Sequence, residues 1–346
     1  MVYRSLIRPL LFRMDPEEAH HLALKALRWA GRFPLSAAVS LMFENRVPSR
    51  PVGLWGMTFR NPVGLAAGFD KEARVVPGLE RLGFGFLEVG AVSSVPRPGN
   101  PRPRIFRLPD DRGLINRMGL PNAGAQATAQ RLAAVSPRVP VFANIVKTAD
   151  LEGSLDEMAE DYEKTLRILF PHVSGFTVNI SCPASPELRD FGGEEAMARL
   201  LGGLGALRDR LTKEHDAPFK PLILKVSPDV DERERAVIVE AAQSGLLDGL
   251  VLTNTTTRRP HGLKASATVT EERGGLSGAP LFPIALAQVG WFAEKLEGRV
   301  PIIGVGGIDG PDKARQMMNA GADLLEVFTG FIYEGPSLIR RIVRAL

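Results

Sequence analysis

The sequence contains a single cysteine, Cys182, and no apolar run that approaches the roughly 20 residues needed to cross a bilayer. One cysteine excludes an intrachain disulfide and any metal site built from several thiolates, which is typical of a reducing compartment such as the cytoplasm. Arg4, Arg8 and Arg13 interrupt the first apolar stretch, and no small-residue cleavage pattern follows it. We therefore expect neither a transmembrane helix nor a signal peptide.

The sequence also lacks any long segment in which the charges are all of one sign. Lys and Arg number 43 against 39 Asp and Glu, a formal charge of +4, and no basic run is long enough to form a nucleic-acid arm. We expect no nucleic-acid partner, and the mild basicity favours an anionic ligand or an anionic membrane surface. The five histidines lack the spacing of a zinc motif, so metal chemistry is not expected.

The first 45 residues differ from the rest of the chain. Two helices are predicted, over residues 3–12 and 19–29, the second preceded by the helix-start pattern Asp-Pro-Glu-Glu at 15–18. Apolar residues interleaved with Arg and Lys suit a helical pair that lies at a membrane interface. On composition alone, the alternative is an ordinary helical hairpin packed on the main domain.

After residue 61 the chain alternates apolar runs with helical stretches. The predicted strands are Val63 to Ala67, Phe86 to Ser93, Val139 to Lys147, Phe176 to Cys182, Leu222 to Ser227, Leu250 to Thr255, Ile302 to Gly306 and Leu324 to Thr329. Eight buried parallel strands separated by helices predict an α/β fold, a (β/α)₈ TIM barrel. An open doubly wound sheet is the alternative, but no GxGxxG follows the first strand. Residues 103–116 predict a β-hairpin inserted after strand two.

Polar side chains follow most of these strands, where barrel enzymes carry their chemistry. The lysines and asparagines at these positions are Lys71, Asn144, Lys147, Asn179, Lys225 and Asn254. Together they suit a planar, anionic ligand rich in amide groups, because each needs hydrogen-bond partners when buried. Glycine-rich 304–307 and residues 328–330 follow strands seven and eight, where barrels commonly bind phosphate, so a mononucleotide cofactor is implied.

Cys182 ends the fourth predicted strand and precedes Pro183, so it is expected where that strand gives way to a loop over the barrel mouth. A free cysteine is most often a small buried hydrophobe, and no neighbouring His or Asp suggests a nucleophile pair. A role as a proton-abstracting base stays open, since a thiol titrates near pH 8.5 in its reference state. Residue type and position alone leave both interpretations standing.

Seven segments in order across nearly the whole chain carry a family resemblance. They are 67–71 (AGFDK), 98–108 (PGNPRPRIFRL), 116–119 (NRMG), 179–183 (NISCP), 253–255 (TNT), 274–278 (GGLSG) and 304–307 (GVGG). The sequence resembles the dihydroorotate dehydrogenase family in these segments. An ordered series of this kind is far more specific than any one of its motifs.

The resemblance implies FMN as cofactor and dihydroorotate and orotate as substrate and product. Cofactor contacts are expected from Ala67, Gly68, Phe69, Asp70, Lys71, Ala91, Asn144, Asn179, Lys225, Thr253, Gly278, Gly306, Gly307, Phe328 and Thr329. Substrate contacts are expected from Lys71, Asn116, Arg117, Met118, Gly119, Leu120, Asn179, Asn254 and Thr255. The implied reaction has Cys182 as the catalytic base that takes a proton from C5, while C6 gives hydride to the flavin. Lys71 and Lys225 would stabilise developing negative charge.

The N-terminal helical pair resembles that of the quinone-dependent class of the family, in which it opens a tunnel to the flavin. His20 and Arg107 match positions of that tunnel. The resemblance thus implies a membrane quinone as acceptor, in pyrimidine (UMP) biosynthesis, at the cytoplasmic face of the cell membrane. Residues 1–45 are expected to form the peripheral membrane and quinone segment, and 46–346 the catalytic barrel. No pattern fixes the oligomeric state, and a monomer is the working expectation.

The match departs from the quinone-dependent class at four positions. Cys182 stands where that class usually has serine and resembles the soluble class, while Ala184 replaces an asparagine that would contact substrate. Phe328 and Ala91 each lack a hydroxyl found in relatives. The alternatives are therefore a soluble fumarate-reducing dihydroorotate dehydrogenase, another FMN barrel reductase acting on a different pyrimidine, and a flavin-binding or membrane-interface protein without turnover.

Overall fold

The computed structural model describes residues 2–148, 154–180 and 194–346. The strands, numbered in chain order, are β1 (Val52–Leu54), β2 (Met57–Phe59), β3 (Val63–Leu65), β4 (Phe86–Val92), β5 (Ile105–Leu108), β6 (Gly113–Asn116), β7 (Val141–Ile145), β8 (Gly175–Asn179), β9 (Leu222–Val226), β10 (Gly249–Leu252), β11 (Gly275–Gly278), β12 (Ile302–Val305) and β13 (Leu324–Val327). The α-helices are α1 (Arg8–Phe12), α2 (Pro16–Ala30), α3 (Leu35–Met42), α4 (Val76–Glu80), α5 (Gly124–Ala133), α6 (Leu155–Leu169), α7 (Glu194–Glu214), α8 (Glu232–Gln243), α9 (Ala267–Thr270), α10 (Phe282–Leu296), α11 (Pro311–Asn319), α12 (Thr329–Glu334) and α13 (Ser337–Ala345).

Eight of these strands close a parallel barrel in the order β3-β4-β7-β8-β9-β10-β12-β13, with β13 paired back to β3. Each corresponds to one of the eight apolar runs, so the predicted TIM barrel is confirmed. The observed strands are mostly shorter than the predicted ones, because the polar residues that follow them belong to loops at the barrel mouth. The end of the fourth predicted strand, with Cys182, lies outside the described residues.

Side chains that point into the barrel fill the end at which the strands begin, which we call the lower end. Phe59, Phe86, Phe142, Ile223 and Val251 pack in one apolar cluster, and the rings of Phe59 and Phe86 meet edge to face at 5.5 Å. Phe59 comes from the antiparallel hairpin β1–β2, which was not predicted. A filled lower end leaves the opposite end, at the carboxyl ends of the strands, for a ligand.

The predicted N-terminal helical pair is confirmed, with additions. Asp15 caps α2 as expected, since its carboxylate accepts hydrogen bonds from the backbone N–H groups of Glu17 and Glu18. A π-helical turn over Tyr3–Ile7 precedes α1, and α3 follows α2 as a third helix that was not predicted. In the part of the chain that the structure describes, every helix is too short or too polar to cross a bilayer.

The insertion after the second barrel strand forms the predicted hairpin, β5 paired antiparallel with β6. A third strand, β11, pairs with the other edge of β6, so that Gly275 lies opposite Asn116. The small sheet packs against helix α2 through β5. It therefore connects the N-terminal helices to the mouth of the barrel.

Candidate functional site

One continuous cavity of about 1780 Å³ runs from the barrel mouth to the N-terminal helices. A site for a single small molecule commonly measures about 300–1,000 Å³. The cavity is therefore large enough for a cofactor and a substrate together, with space toward the helices for a second reactant.

The cavity wall contains residues that are far apart in the sequence. The predicted site residues that line it are Ala67, Gly68, Phe69, Lys71, Ala91, Asn116, Arg117, Met118, Gly119, Leu120, Asn144, Asn179, Lys225, Thr253, Asn254, Thr255, Gly278, Gly306, Gly307, Phe328 and Thr329. His20 and Arg107 line it as well. The side chains expected to hold cofactor, substrate and quinone thus face a single space.

Three predicted residues differ from this pattern. The side chain of Asp70 turns away from the cavity, because its two carboxylate oxygens accept hydrogen bonds from the backbone N–H groups of Arg74 and Val75, each at 2.8 Å. Lys147 is buried but is not part of the cavity wall, so five of the six expected lysines and asparagines converge there. Cys182 lies outside the described residues.

Glycines form the wall at the end of β12. Gly306 and Gly307 have positive φ angles of 133° and 69°, and a Cβ atom on Gly307 would lie 2.6 Å from the carbonyl oxygen of Gly278. No larger side chain fits there without displacing the backbone. The hydroxyls of Ser277 and Thr329 meet at 2.8 Å beside this wall, so backbone and hydroxyl groups face the cavity, a donor set suited to a phosphate.

A polar network lines the barrel interior above the apolar cluster. The side-chain amide of Asn144 donates to Glu88 at 2.9 Å, and that of Asn179 donates to Asn144 at 3.2 Å. Lys225 Nζ lies 3.1 Å from Glu88 Oε2, which also accepts from the backbone N–H of Ala67. Burial lowers the pKa of Lys225, but the neighbouring carboxyl groups, Glu88 before Glu326, together outweigh this and leave that pKa above its ordinary value. Lys225 therefore carries a positive charge beside the cavity.

Lys71 lies in the cavity wall near the side that faces α2. Its ammonium group donates to the carbonyl oxygen of Gly68 at 2.7 Å. Burial lowers the pKa of Lys71 to about 8, opposed in part by the carboxylate of Glu17. The lysine is charged at neutral pH and is placed to meet an anionic ligand.

The end of the cavity between the N-terminal helices is apolar. Its wall there includes Tyr3, Ile7, Leu11, Phe12, Ala19, Leu22, Ala23, Ala26 and Leu27. Burial, with a smaller contribution from the charge of Lys71, lowers the pKa of His20 to about 3, so this imidazole is neutral. Arg107 donates to the carbonyl oxygens of Leu11 and Met14 and lies over the ring of Phe12, 4.7 Å from its centre. These contacts hold α1 against the hairpin.

Sequence reasoning missed two glutamates in the barrel interior. Glu88 and Glu326 are 2% and 1% exposed, and Glu326 forms part of the cavity wall. A signal was available, because each is a charged residue in the middle of an otherwise apolar strand, as in FLEVG and LLEVF. Carboxylates are rarely buried without a partner.

Comparison with known proteins agrees with this geometry. A family model described as dihydroorotate dehydrogenase matches residues 51–346. The chain is 43% identical over 346 residues to a dihydroorotate dehydrogenase (quinone) of Acidithiobacillus ferrooxidans, covering 99% of this chain and 94% of the relative. It is 43% identical over 341 residues to the enzyme of that name from Paraburkholderia xenovorans, with 99% and 98% covered.

Solved structures give the same result. Ligand-free DHODH from Eimeria tenella superimposes with a TM-score of 0.84 at 31% identity, covering 96% of this chain and 94% of that one. The complex of DHODH from Eimeria tenella with ferulenol superimposes with a TM-score of 0.81 at 30% identity, covering 94% and 90%. The chain therefore belongs to the dihydroorotate dehydrogenase family.

Proposed function

We propose that this chain oxidises (S)-dihydroorotate to orotate, with FMN as the hydride acceptor and a membrane quinone as the final electron acceptor, in de novo UMP synthesis. Its family is flavin-dependent, and its relatives are named for a quinone. The observation that carries the proposal is the single cavity, whose polar end lies in the barrel mouth and whose apolar end lies between the N-terminal helices. Such a cavity can take a polar reductant and an apolar oxidant at separate places.

The donor set of the barrel mouth fits FMN. Gly278, Gly306, Gly307 and Thr329 would hold the phosphate, since their wall leaves no space for larger side chains. Lys225 and Asn144, fixed by Glu88, would contact the ring and ribityl chain. When bound there, FMN would supply the chemistry of hydride acceptance from dihydroorotate and of two-electron donation to the quinone.

The substrate would lie between Lys71 and the amide-bearing loops. Lys71 would pair with the carboxylate of dihydroorotate, and Asn116, Asn179, Asn254 and Thr255 would bond its amide edge. Residues 117–120 complete this wall. Cys182 is assigned as the base that takes the C5 proton, an assignment that rests on the family motif NISCP. The proton released from C5 and the hydride released from C6 together account for the oxidation.

The apolar end of the cavity would admit the quinone. Neutral His20 adds no charge to this end, which favours an uncharged quinone ring. Arg107 donates to three backbone carbonyl oxygens in α1 and just after it, so its guanidinium is held in one position beside the apolar end of the cavity. On this proposal the quinone reaches the flavin without entering the substrate pocket.

Residues 1–45 would attach the chain to the cytoplasmic face of the membrane as a peripheral segment, with 46–346 as the catalytic barrel. Ten of the twelve large hydrophobic side chains that are exposed in the described residues lie between residues 2 and 42. Arg4, Arg13, Lys25 and Arg28 are exposed on the same helices and suit anionic headgroups. The catalytic unit is proposed to be a monomer.

Sedimentation with anionic phospholipid vesicles tests the attachment. The double variant Leu10→Ser/Phe33→Ser should stay in the supernatant, because these side chains are 63% and 87% exposed and their burial in lipid drives binding. Phe219→Ser is the matched control, since Phe219 is an exposed aromatic residue of the barrel, at 43%. Equal sedimentation of the double variant and the parent protein would contradict the attachment.

Anaerobic mixing of the purified flavoprotein with dihydroorotate tests the function. The visible flavin absorption should bleach, and a later addition of quinone should restore it. Recovery with fumarate and not with quinone would assign the soluble class, to which Cys182 points. No bleaching with dihydroorotate would mean that the substrate is a different pyrimidine or that the protein does not turn over.

A further inference from the structure

Two buried carboxyl groups lie inside the barrel, at the floor of the cavity. Glu88 from β4 and Glu326 from β13 are buried on the two strands that flank β3, close enough for the charge of one to act on the other, and Lys225 from β9 forms an ion pair with Glu88 at 3.1 Å. Glu88 and Glu326 are each no more than 2% exposed. We call Glu88, Lys225 and Glu326 the interior triad.

A buried carboxylate that has neither a cation nor a hydrogen-bond donor beside it is costly, so a carboxyl group in such a place keeps its proton. Glu88 already accepts from Lys225, Asn144 and the backbone N–H of Ala67, so three donors stabilise its ionised form. One oxygen of Glu326, Oε2, is buried without a hydrogen-bond partner. Glu326, and not Glu88, is therefore the carboxyl group that keeps its proton.

The direction of each pKa agrees with this assignment. Burial, and then the negative charge of Glu88, raise the pKa of Glu326 well above its ordinary value, against a smaller opposing effect of Lys225. Burial also acts on Glu88, but Lys225 and the hydrogen-bond donors outweigh it and lower that pKa. A single proton in the pair leaves the interior triad with one positive and one negative charge.

We propose that Glu326 is a permanently protonated positioning residue, whose carboxyl group donates to Glu88 and so fixes the ammonium of Lys225 against the bound flavin. The assignment of the flavin to Lys225 rests on the proposed function. The charge state of the triad does not, because it follows from the packing of the chain alone. Ionisation of Glu326 would leave a net negative charge under the flavin and oppose its reduction.

The strands that neighbour Glu326 bring no further charge to it. Its register partners are Val305 on β12 and Gly64 on β3. At the cavity, β7 and β8 present Asn144 and Asn179, and Thr253 follows directly after β10; all three are uncharged. Glu88 and Lys225 are therefore the groups that set the protonation of Glu326.

Infrared spectroscopy of the oxidised flavoprotein tests the proposal without dihydroorotate. The carbonyl band of a buried protonated carboxylic acid should persist from about pH 6 to about pH 8 and should disappear in Glu326→Gln. Glu44→Gln is the control, because Glu44 lies beside Arg60 at the lower end of the barrel and its hydrogen bonds and ion pairs lower its pKa. That variant should keep the band.

The flavin midpoint potential and dissociation constant give a second readout. Glu326→Gln keeps an uncharged donor to Glu88, so the midpoint potential should not shift and the dissociation constant should stay within about twofold of that of the parent protein. Glu88→Gln removes the counter-ion of Lys225 and should weaken flavin binding by at least about tenfold. A band that survives in Glu326→Gln, or that vanishes from the parent protein within this pH range, would overturn the proposal. A protein that shows the band but is not bleached by dihydroorotate would instead contradict the proposed function alone.

Discussion

The guanidinium of Arg104 and the carboxylate of Glu17 form a buried ion pair, with Nη2 of Arg104 2.6 Å from Oε1 of Glu17. Glu17 lies in the first turn of α2, and Arg104 immediately precedes β5. Arg104 also donates to the carbonyl oxygens of Pro98 and Asn100. The pair therefore joins the helices that form the apolar end of the cavity to the loop that forms its polar end.

Glu17→Ala should lower the free energy of unfolding by about 3–5 kcal/mol, because it leaves Arg104 buried without its counter-ion. Chemical denaturation measures the loss, and the quinone KM should rise as α2 loosens. Arg102→Ala is the matched control: Arg102 contacts the same Glu17 oxygen at 3.0 Å, but its side chain is 57% exposed, so the cost should stay below about 1 kcal/mol. Equal losses in the two variants would contradict a special role for the buried pair.

Gly307→Ala should reduce flavin content. The new Cβ would lie 2.6 Å from the carbonyl oxygen of Gly278, at a positive φ that alanine adopts at a cost of about 1–2 kcal/mol. We expect the dissociation constant for FMN to rise at least about tenfold, as measured by fluorescence titration of flavin-depleted protein. Gly310→Ala is the control, because a Cβ there meets nothing within 4 Å and its backbone is extended, with φ of −171°. Full flavin affinity in Gly307→Ala would remove the phosphate assignment from this wall.

Much of this site follows from local sequence. Eight apolar runs were enough to predict the barrel, and the glycines after β12 lie in the cavity wall as predicted. β11 was missed because four residues containing two glycines carry little strand signal, and their partners in β6 lie some 160 positions earlier, beyond the reach of local periodicity. Asp70 shows a second limit: adjacent residues in a loop can point in opposite directions, so Lys71 lines the cavity while Asp70 bonds its own loop.

The stability of the chain should fall with acid through His20. The pKa of this imidazole is about 3 in the folded chain and about 6.5 when unfolded, so between these values the unfolded state binds the extra proton and stability rises with pH. The slope should approach 1.4 kcal/mol per pH unit, reduced by partial solvent exposure. His20→Gln should flatten this part of the profile, measured by urea denaturation at several pH values. His21→Gln, on the exposed side of α2, is the control and should keep the slope of the parent protein. An unchanged slope in His20→Gln would show that His20 is not the source of the pH dependence.

Dihydroorotate binding should weaken above about pH 8. Burial lowers the pKa of Lys71 to about 8, so its ammonium group is charged well below that pH and loses its charge above it. The carboxylate of bound substrate would raise this pKa. Lys71→Met should raise the dissociation constant by about 10- to 150-fold, the effect of one charged hydrogen bond, and should abolish the pH dependence. Stopped-flow bleaching at varied dihydroorotate concentration measures both. A parent protein and a Lys71→Met variant with the same pH profile would exclude Lys71 as the substrate's partner.

Cys182 is the last assignment to test, and its two variants separate a base from a packing residue. Cys182→Ala should slow flavin bleaching by dihydroorotate by about 10²–10⁴-fold, the usual contribution of a positioned general base. Cys182→Ser should keep part of the rate with a different pH profile, because a hydroxyl can take the proton but has a different affinity for it. Reoxidation by quinone needs no proton acceptor at C5, so it should proceed at the parent rate in both variants, which serves as the internal control for intact folding and flavin binding. Bleaching of Cys182→Ala at the parent rate would show that another group accepts the proton, and loss of both half-reactions would show that the residue supports the fold of the mouth and not the chemistry.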